Sequence, residues 1–291
     1  MMVRAMDLPR QSAARNRGEL SSLPRAIRPA DPGHAIVADL RVLRRALDAA
    51  GVPMVPLITT IGDYHELGDL PVRVADRDAF VIRSARGGDR GTLPVARVAR
   101  GFVGGPGRFF TQGDLCRYVG HILEGAFVDG AHDAAVIEES VRASSLFPAL
   151  GAAGAWRVSI GTRGGVPTSA ELHGLDGPVS RGSAPPGAII LGLDAERGVV
   201  ERFWHRAPIG TPYPETAAGL LGKRARAWPS IHEVACRAAA TIDLDELAIE
   251  LIVDPARGPL VTSATAVQEA PVRVPVPRAR DGERRRHIRT A

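Results

Sequence analysis

Apolar residues recur every three or four positions in three parts of the chain, which predicts three helices. The first covers residues 37–50, the second begins at Thr111 and the third begins at Pro229. Thr111 and Asp114 have the spacing of a capping box, in which each side chain accepts a hydrogen bond from the backbone N–H of the other residue. This pattern places the start of the second helix at Thr111.

Ten shorter apolar segments, separated by Gly, Pro and Asp, predict strands. They cover residues 54–60, 79–83, 92–98, 134–141, 156–162, 167–173, 188–193, 199–205, 247–253 and 260–264. The last two flank a turn at residues 254–258 and predict a hairpin. Because helices and strands are mixed and most neighbouring strands are joined by short turns, we predict an α+β fold with mainly antiparallel sheets.

Composition separates the folded part of the chain from its ends. Of the 291 residues, 45% are hydrophobic, which is enough for a core of one or two domains. The ends, residues 1–33 and 271–291, are rich in Pro and Arg. We predict that both are disordered tails, because proline and charge oppose the formation of a core.

The sequence indicates no association with a membrane. No apolar run approaches the roughly 20 residues that a membrane helix needs. The first residues also lack the apolar stretch of a secretory signal. We therefore expect a cytoplasmic protein without a membrane partner.

The net charge is +5, and Lys223 is the only lysine among the 37 basic residues. Acidic and basic residues are interleaved through the middle of the chain, and the excess of arginine lies largely in the ends, notably at Arg284, Arg285, Arg286 and Arg289. We therefore expect no nucleic-acid partner. Binding of nucleic acid by the C-terminal tail remains an alternative.

A glycine-rich turn between two predicted strands is the first candidate for chemistry. Gly87, Gly88 and Gly91 allow backbone N–H groups to approach an anion closely, and Arg86 and Arg90 add positive charge. Turns of this composition also occur in ordinary hairpins. The chain has no GxxxxGK[ST] and no GxGxxG at the start of a helix, which excludes a P-loop and a Rossmann dinucleotide site. The eight histidines are scattered, and we assign none of them to a site.

Five segments in order carry a resemblance to a known family. They read AGVPMV at 50–55, FVIRSARGGDRGTL at 80–93, VIEESV at 136–141, AWRVSIG at 155–161 and ELIVDPARGPLV at 250–261. Their order and spacing resemble ATP-grasp enzymes, specifically the alpha-L-glutamate ligase-like and sugar-transfer-associated group. The resemblance implies an ATP-grasp fold of two α+β lobes with a nucleotide cleft between them. It divides the folded part into a glycine-loop lobe at 34–133 and a second lobe at 134–270.

The resemblance also implies which residues contact the nucleotide phosphates. Arg83 and Arg90 stand where the family has lysines, and Gly87, Gly88 and Gly91 form the loop over the phosphates. Arginine keeps the positive charge of lysine but presents a planar fork in place of a compact ammonium.

Further residues are implied for catalysis and for the adenosine. Arg157 matches an arginine that steadies the transferred phosphoryl or acyl-phosphate oxygens, and Arg181 corresponds to a lysine on the substrate side. The segment that ends at Val141 matches the hinge at which the backbone meets adenine, and either Glu138 or Glu139 would hold the ribose.

The metal site departs from the family's pattern. ATP-grasp ligases bind two Mg²⁺ ions between the phosphates and acidic residues on two strands, and Mg²⁺ prefers oxygen ligands, mainly carboxylates. Glu250 occupies the first ligand position, but Ser263 and Thr265 stand where the family has Glu and Asn. The resemblance therefore predicts ATP and Mg²⁺ as cofactors with a degenerate metal site.

Two hypotheses of function follow, and the residues do not choose between them. In the first, the protein is an ATP-dependent carbon–nitrogen ligase that joins a small carboxylate to an amine through an acyl phosphate. In the second, it is a degenerate ATP-grasp protein that binds a nucleotide or a protein partner without turnover.

Overall fold

The computed structural model describes residues 32–105, 107–147, 155–175, 188–206 and 219–267. All of them belong to one unit of the chain, Pro32–Ala291. Within these residues, no helix has both the length and the apolar content to cross a membrane.

Five α-helices and one 3-10 helix are present in the described residues. They are α1 (Pro32–Ala38), α2 (Leu40–Ala49), the 3-10 helix Tyr64–Asp69, α3 (Leu70–Arg73), α4 (Gln112–Leu123) and α5 (Trp228–Ile242). The capping box predicted for the second helix is confirmed: Thr111 N–H donates to Asp114 Oδ2 at 2.9 Å, and Asp114 N–H donates to Thr111 Oγ1 at 3.2 Å. The prediction of a single helix over residues 37–50 is wrong. Asp39 is extended (φ −136°) and accepts a hydrogen bond from the Arg41 N–H, so that it ends α1 and caps α2.

The described residues form two sheets of six strands each, and the first has the order β1-β6-β2-β3-β4-β5. They are β1 (Leu57–Ile61), β2 (Ala79–Ser84), β3 (Leu93–Val98), β4 (Gly101–Gly104), β5 (Arg108–Phe110) and β6 (Ala135–Glu139). The short strands β4 and β5 are absent from the sequence prediction, because their glycines and few apolar residues give no alternating pattern. One face of this sheet, with Phe80, Ile82 and Ile137, packs against Leu115 and Val119 of α4.

The second sheet also contains six strands, in the order β10-β9-β8-β7-β11-β12. They are β7 (Ala155–Arg163), β8 (Val166–Leu175), β9 (Ala188–Leu193), β10 (Val200–Arg206), β11 (Glu246–Asp254) and β12 (Gly258–Ala266). The hairpin predicted around residues 254–258 is confirmed by the antiparallel pairing of β11 and β12. One face of the sheet, with Val158, Leu172 and Ile249, packs against Leu47 of α2 and Ile231 of α5.

The predicted fold class is confirmed, because both sheets are antiparallel and helices cover one face of each. The strand β6 lies between β1 and β2 in the first sheet, whereas the boundary predicted at residue 134 groups it with the second lobe.

The two sheets are joined through the segment that precedes β1. Val261 N–H of β12 donates to the Pro53 carbonyl at 2.9 Å, and Val55 N–H donates to the Val261 carbonyl at 3.2 Å. Beside these bonds, Val55, Ile252 and Leu260 form a small buried group, here called the inter-sheet cluster. Hydrogen bonds and apolar contacts therefore both hold the first sheet against β12.

Candidate functional site

The face of the second sheet opposite the helices carries the candidate site. In a strand, successive side chains point to opposite faces, and residues paired across strands share a face. Trp156, Val158 and Ile160 of β7 point into the core, so Arg157 and Ser159 point to the other side, here called the open face. The open face is therefore defined by the strand register.

Two neighbouring rows of paired residues cross the open face. The first row runs through Arg202, Gly192, Glu171, Ser159, Glu250 and Ser263. The second row runs through Trp204, Ile190, His173, Arg157, Ile252 and Leu260. The register thus brings charged residues of three adjacent strands, β8, β7 and β11, next to one another. Arg157 and Glu250, both predicted from the sequence as site residues, lie among them.

Glu250 lies between a cation and a hydroxyl. Its Oε1 is 3.3 Å from Arg157 Nη1, and its Oε2 accepts a hydrogen bond of 2.8 Å from the Ser263 hydroxyl. The side chain of Arg157 is 9% exposed and that of Glu250 is 19% exposed, so water screens their attraction only weakly. Arg157 Nη1 lies within ion-pair distance of Glu250 Oε1, but this contact does not have the geometry of a hydrogen bond. Arg157 Nε has no hydrogen-bond partner among the described residues. The guanidinium therefore retains donors for a ligand.

His173 is the member of this group that the sequence analysis did not identify. It lies directly opposite Arg157, and its Nε2 is 3.2 Å from Glu171 Oε2. Burial lowers the pKa of the imidazole, and the charge of Arg157 lowers it further, while Glu171 and Glu250 act in the opposite direction. The alternation of β8, in which Leu172 is buried between Glu171 and His173, is the signal that could have placed this histidine on the face opposite the core.

The open face does not fit a two-metal centre. The register places Ser263 opposite Glu250, but Ser263 offers a neutral hydroxyl that already donates to the carboxylate, and Thr265 pairs with Ala248. Across the described residues, no group of three or more His, Cys, Asp or Glu side chains is placed to hold a metal ion. Glu250 is the one carboxylate at the predicted ligand positions, and a single carboxylate cannot balance two divalent cations.

Arg83, predicted to reach the phosphates, is buried between the two sheets. Its Nη1 donates to Glu138 Oε2 at 3.2 Å and to the Thr262 carbonyl at 2.8 Å. Arg44 of α2 donates from Nη1 to Glu138 Oε1 at 2.6 Å and from Nη2 to the Val55 carbonyl. Burial lowers the pKa of Arg44, and so does the charge of Arg83, whereas Glu138 raises it. We call Arg44, Arg83 and Glu138 the buried triad.

The remaining hinge residues also have partners. Glu139 is paired with Arg77 at 3.1 Å and with Arg257 at 2.8 Å, and its backbone N–H donates to the Pro56 carbonyl at 3.0 Å. Val141 packs against the inter-sheet cluster. Both carboxylates proposed for the ribose are therefore engaged by arginines, and a role at the ribose stays a prediction.

A buried aspartate organises the glycine-rich turn. The Asp133 carboxylate, which is fully buried, accepts hydrogen bonds from the Ser84 hydroxyl and from the Arg86 backbone N–H. Ser84 Oγ in turn accepts a hydrogen bond of 2.7 Å from the Gly87 N–H. The buried carboxylate of Asp133, which was not among the residues predicted for this turn, therefore holds the turn in place through these hydrogen bonds.

The predicted loop residues at the end of the turn differ in their surroundings. Gly91 has φ +75°, and a Cβ on it would lie 2.6 Å from the Phe127 ring. Gly88 has φ +59°, and a Cβ on it would meet no atom within 4 Å. Arg90 is exposed, and its N–H donates to the Gly87 carbonyl at 3.1 Å. Arg181 lies outside the residues that the structure describes.

Two surface cavities formed by described residues lie away from the open face. One, of about 410 Å³, lies between α3, β4 and α4 near Leu70, Phe102 and Leu115. The other, of about 500 Å³, lies along α2 and the segment 51–57. Neither contains a residue of the two rows.

Several solved enzyme structures match this chain at low sequence identity. The D-alanine-D-alanine ligase from Coxiella burnetii matches 81% of this chain with 12% identity and a TM-score of 0.46. The VanG D-Ala:D-Ser ligase from Enterococcus faecalis matches 81% with 12% identity and a TM-score of 0.49, and a biotin carboxylase from Campylobacter jejuni matches 82% with 15% identity and a TM-score of 0.49. These are ATP-grasp enzymes.

The chain spans about half the length of these enzymes or less, since the matches cover 49%, 54% and 42% of them. At such identities the likeness concerns the backbone alone. No family model matches the sequence, and no curated protein is a significant match to it.

Proposed function

We propose that this chain is an ATP-grasp-like protein that binds the phosphates of a nucleotide on the open face without transferring a phosphoryl group. The observation that carries the proposal is the hydrogen bond from Ser263 to Glu250. Ser263 occupies the position at which the family resemblance predicts a second metal-binding carboxylate. The protein would then hold a nucleotide by arginines and not by a pair of metal ions.

The charges of the open face support this choice. Phosphoryl transfer depends on positioning and on neutralising the negative charge that develops on the transferred group. A bridging metal ion supplies several kcal/mol of that stabilisation. Here the one carboxylate at the metal position is already balanced by Arg157. Binding of phosphate oxygens by guanidinium N–H groups needs no metal, and charge-assisted bonds of this type are strong.

A ligase that joins a small carboxylate to an amine is the second candidate. It is favoured by Arg157 and Glu250, which the register places on adjacent strands with their charged groups in contact. Glu250 would then hold one Mg²⁺ ion brought in with ATP. For a chain without turnover, the corresponding proposal is that it binds a protein partner.

A thermal-shift titration with ATP and ADP, each with and without Mg²⁺, tests the proposal. We expect a rise in Tm that is the same with and without the metal, since binding to the folded state stabilises it. Arg157→Gln should remove the rise. Arg163→Gln serves as the matched control, because Arg163 lies on the same strand but pairs with Glu246 at its exposed end.

The other outcomes are equally informative. A rise that requires Mg²⁺, is lost in Glu250→Ala and is accompanied by release of ADP with a carboxylate and an amine would favour the ligase. No rise with either nucleotide would overturn both candidates.

A further inference from the structure

We infer that His173 takes up a proton when an oxyanion binds beside Arg157, so that a charged imidazole supplies part of the positive charge at the site. The inference deepens the proposed function, because there the oxyanion is a nucleotide phosphate. It requires only a tetrahedral oxyanion, however, and can be tested without a nucleotide.

The hydrogen bonding of the ring supports a proton-accepting role. Nε2 lies 3.2 Å from Glu171 Oε2 and carries the hydrogen in the neutral ring, because a carboxylate can only accept. Nδ1 is buried and has no hydrogen-bond partner among the described residues. A proton from solvent would therefore bind to Nδ1 and create a buried N–H donor. Such a donor is costly unless an acceptor reaches it. Among the described residues none does, and an oxyanion would supply that acceptor.

Arg157 presents a matching unsatisfied group directly opposite. Its side chain is 9% exposed, and its Nε has no hydrogen-bond partner among the described residues. The register pairs Arg157 with His173, so the two side chains are neighbours on the open face. Two adjacent nitrogens from two strands, both buried and both without an acceptor, form a site for the oxygens of one anion.

The charges around His173 explain why the proton binds together with the anion. The charged groups that act on the ring are Arg157 on β7, Glu171 on β8 and Glu250 on β11. The same row continues to Ile190 on β9 and Trp204 on β10, which do not titrate in this range. Burial and Arg157 lower the pKa of His173, so the ring is neutral in the free protein near pH 7. A bound anion would offset the charge of Arg157 and raise that pKa.

Sulfate is the appropriate probe, because it stays fully ionised across the pH range in which histidine titrates. We would measure its apparent Kd by thermal shift at constant ionic strength, with chloride as the reference anion. We expect the affinity for sulfate to rise as the pH falls from about 7.5 to about 5.5, by at most about tenfold per pH unit for one linked proton. His173→Gln should abolish this pH dependence, and Arg157→Gln should abolish binding.

His121→Gln is the matched control, since His121 lies exposed on α4 beside Glu124, and it should leave the pH dependence unchanged. His173→Asn is a second variant if His173→Gln does not fold. An NMR titration of the unaltered protein gives an independent readout: the His173 pKa should rise on addition of sulfate.

Three results would overturn the inference: no binding of sulfate at any pH, a pH dependence that persists in His173→Gln, or a His173 pKa that sulfate does not move. These failures are distinguishable from failure of the proposed function. Nucleotide binding that does not depend on His173 would support the proposed function and contradict the inference about His173. Sulfate binding linked to His173, without any effect of ATP or ADP, would leave only the oxyanion site.

Discussion

Glu250 on β11 faces Ser263 on β12, and the serine hydroxyl donates a hydrogen bond of 2.8 Å to Glu250 Oε2. The register therefore puts a neutral hydroxyl beside Glu250, at the position where the family resemblance predicts a Glu. A serine beside a carboxylate stabilises the carboxylate, whereas a second carboxylate would need a cation between the two.

Replacing Ser263 by Glu should create a dependence on Mg²⁺. Without metal, two carboxylates on paired positions should destabilise the protein by roughly 0.2–1 kcal/mol. With free Mg²⁺ at about ten times its Kd, the free energy of unfolding should rise by about 1.4 kcal/mol. Urea unfolding with Mg²⁺ and with EDTA measures both effects. Ser263→Gln has a similar size without the charge and should show no metal dependence; a Mg²⁺ effect in that variant, or none in Ser263→Glu, would contradict the assignment.

Removing the carboxylate of Glu138 from the buried triad should lower the free energy of unfolding more than removing one of its arginines. Glu138→Gln removes the carboxylate that pairs with both the buried Arg83 and the largely buried Arg44, at a cost of about 3–5 kcal/mol. Arg83→Met leaves the Arg44–Glu138 pair intact and deprives the Thr262 carbonyl of its donor, at a cost of about 1–3 kcal/mol. Urea unfolding gives both free energies.

Two further variants complete the test of the buried triad. Glu139→Gln is the control on the same strand, because its partners Arg77 and Arg257 are 39% and 47% exposed, and it should cost no more than about 1 kcal/mol. The double variant Arg83→Met/Glu138→Gln should cost less than the sum of the single variants. If Glu138→Gln and Glu139→Gln lower the free energy of unfolding equally, Glu138 is not the counter-charge that stabilises Arg44 and Arg83.

Alanine substitutions at two glycines of the glycine-rich turn should destabilise the protein by different amounts. Gly88→Ala places a side chain at positive φ in open space and should cost about 1–2 kcal/mol. Gly91→Ala has the same backbone strain and also brings a Cβ to 2.6 Å from the Phe127 ring, which should cost a further 1–3 kcal/mol, roughly. Thermal unfolding of both variants measures the difference. If Gly91→Ala proves no more destabilised than Gly88→Ala, the contact with Phe127 is not a constraint on the turn.

The lowered pKa of His173 should make the free protein lose stability in mild acid. Above the ordinary histidine pKa of about 6.5, the ring is neutral in both the folded and the unfolded states, and its contribution does not depend on pH. As the pH falls below that value, the unfolded chain binds the proton first, so the free energy of unfolding decreases until the folded ring is also protonated. His173→Gln should remove this component, as seen from urea unfolding of both proteins at a series of pH values. If the difference in unfolding free energy between the unaltered protein and His173→Gln does not change with pH below about 6.5, the pKa of His173 is not lowered in the folded state.

Local patterns were sufficient for most of the elements. The strands around Val81, Val158 and Ile249 were predicted from their apolar runs, and the start of α4 from Thr111 and Asp114, because these signals lie within a few residues of one another. The break at Asp39 was missed because the hydrogen bond of a single side chain overrode a continuous apolar period.

The candidate site was predictable only in part. The family resemblance selected Arg157 and Glu250, and the structure places them in contact. It did not select His173, whose proximity to Arg157 depends on the register of β7 against β8. It also assigned Arg83 to the phosphates. In the structure Arg83 is paired with Glu138 inside the protein, and its role at the phosphates stays a prediction.

By itself, the sequence determined the type and order of most elements and the α+β class, since these depend on neighbouring residues. Only the tertiary structure decided which charges meet. Glu138 is held by Arg44 and Arg83, which are 94 and 55 residues away, and Arg83 reaches a carbonyl 179 residues away. Whether an arginine binds a ligand or a carboxylate of its own chain depends on distances of a few ångströms, and the packing of the two sheets sets those distances.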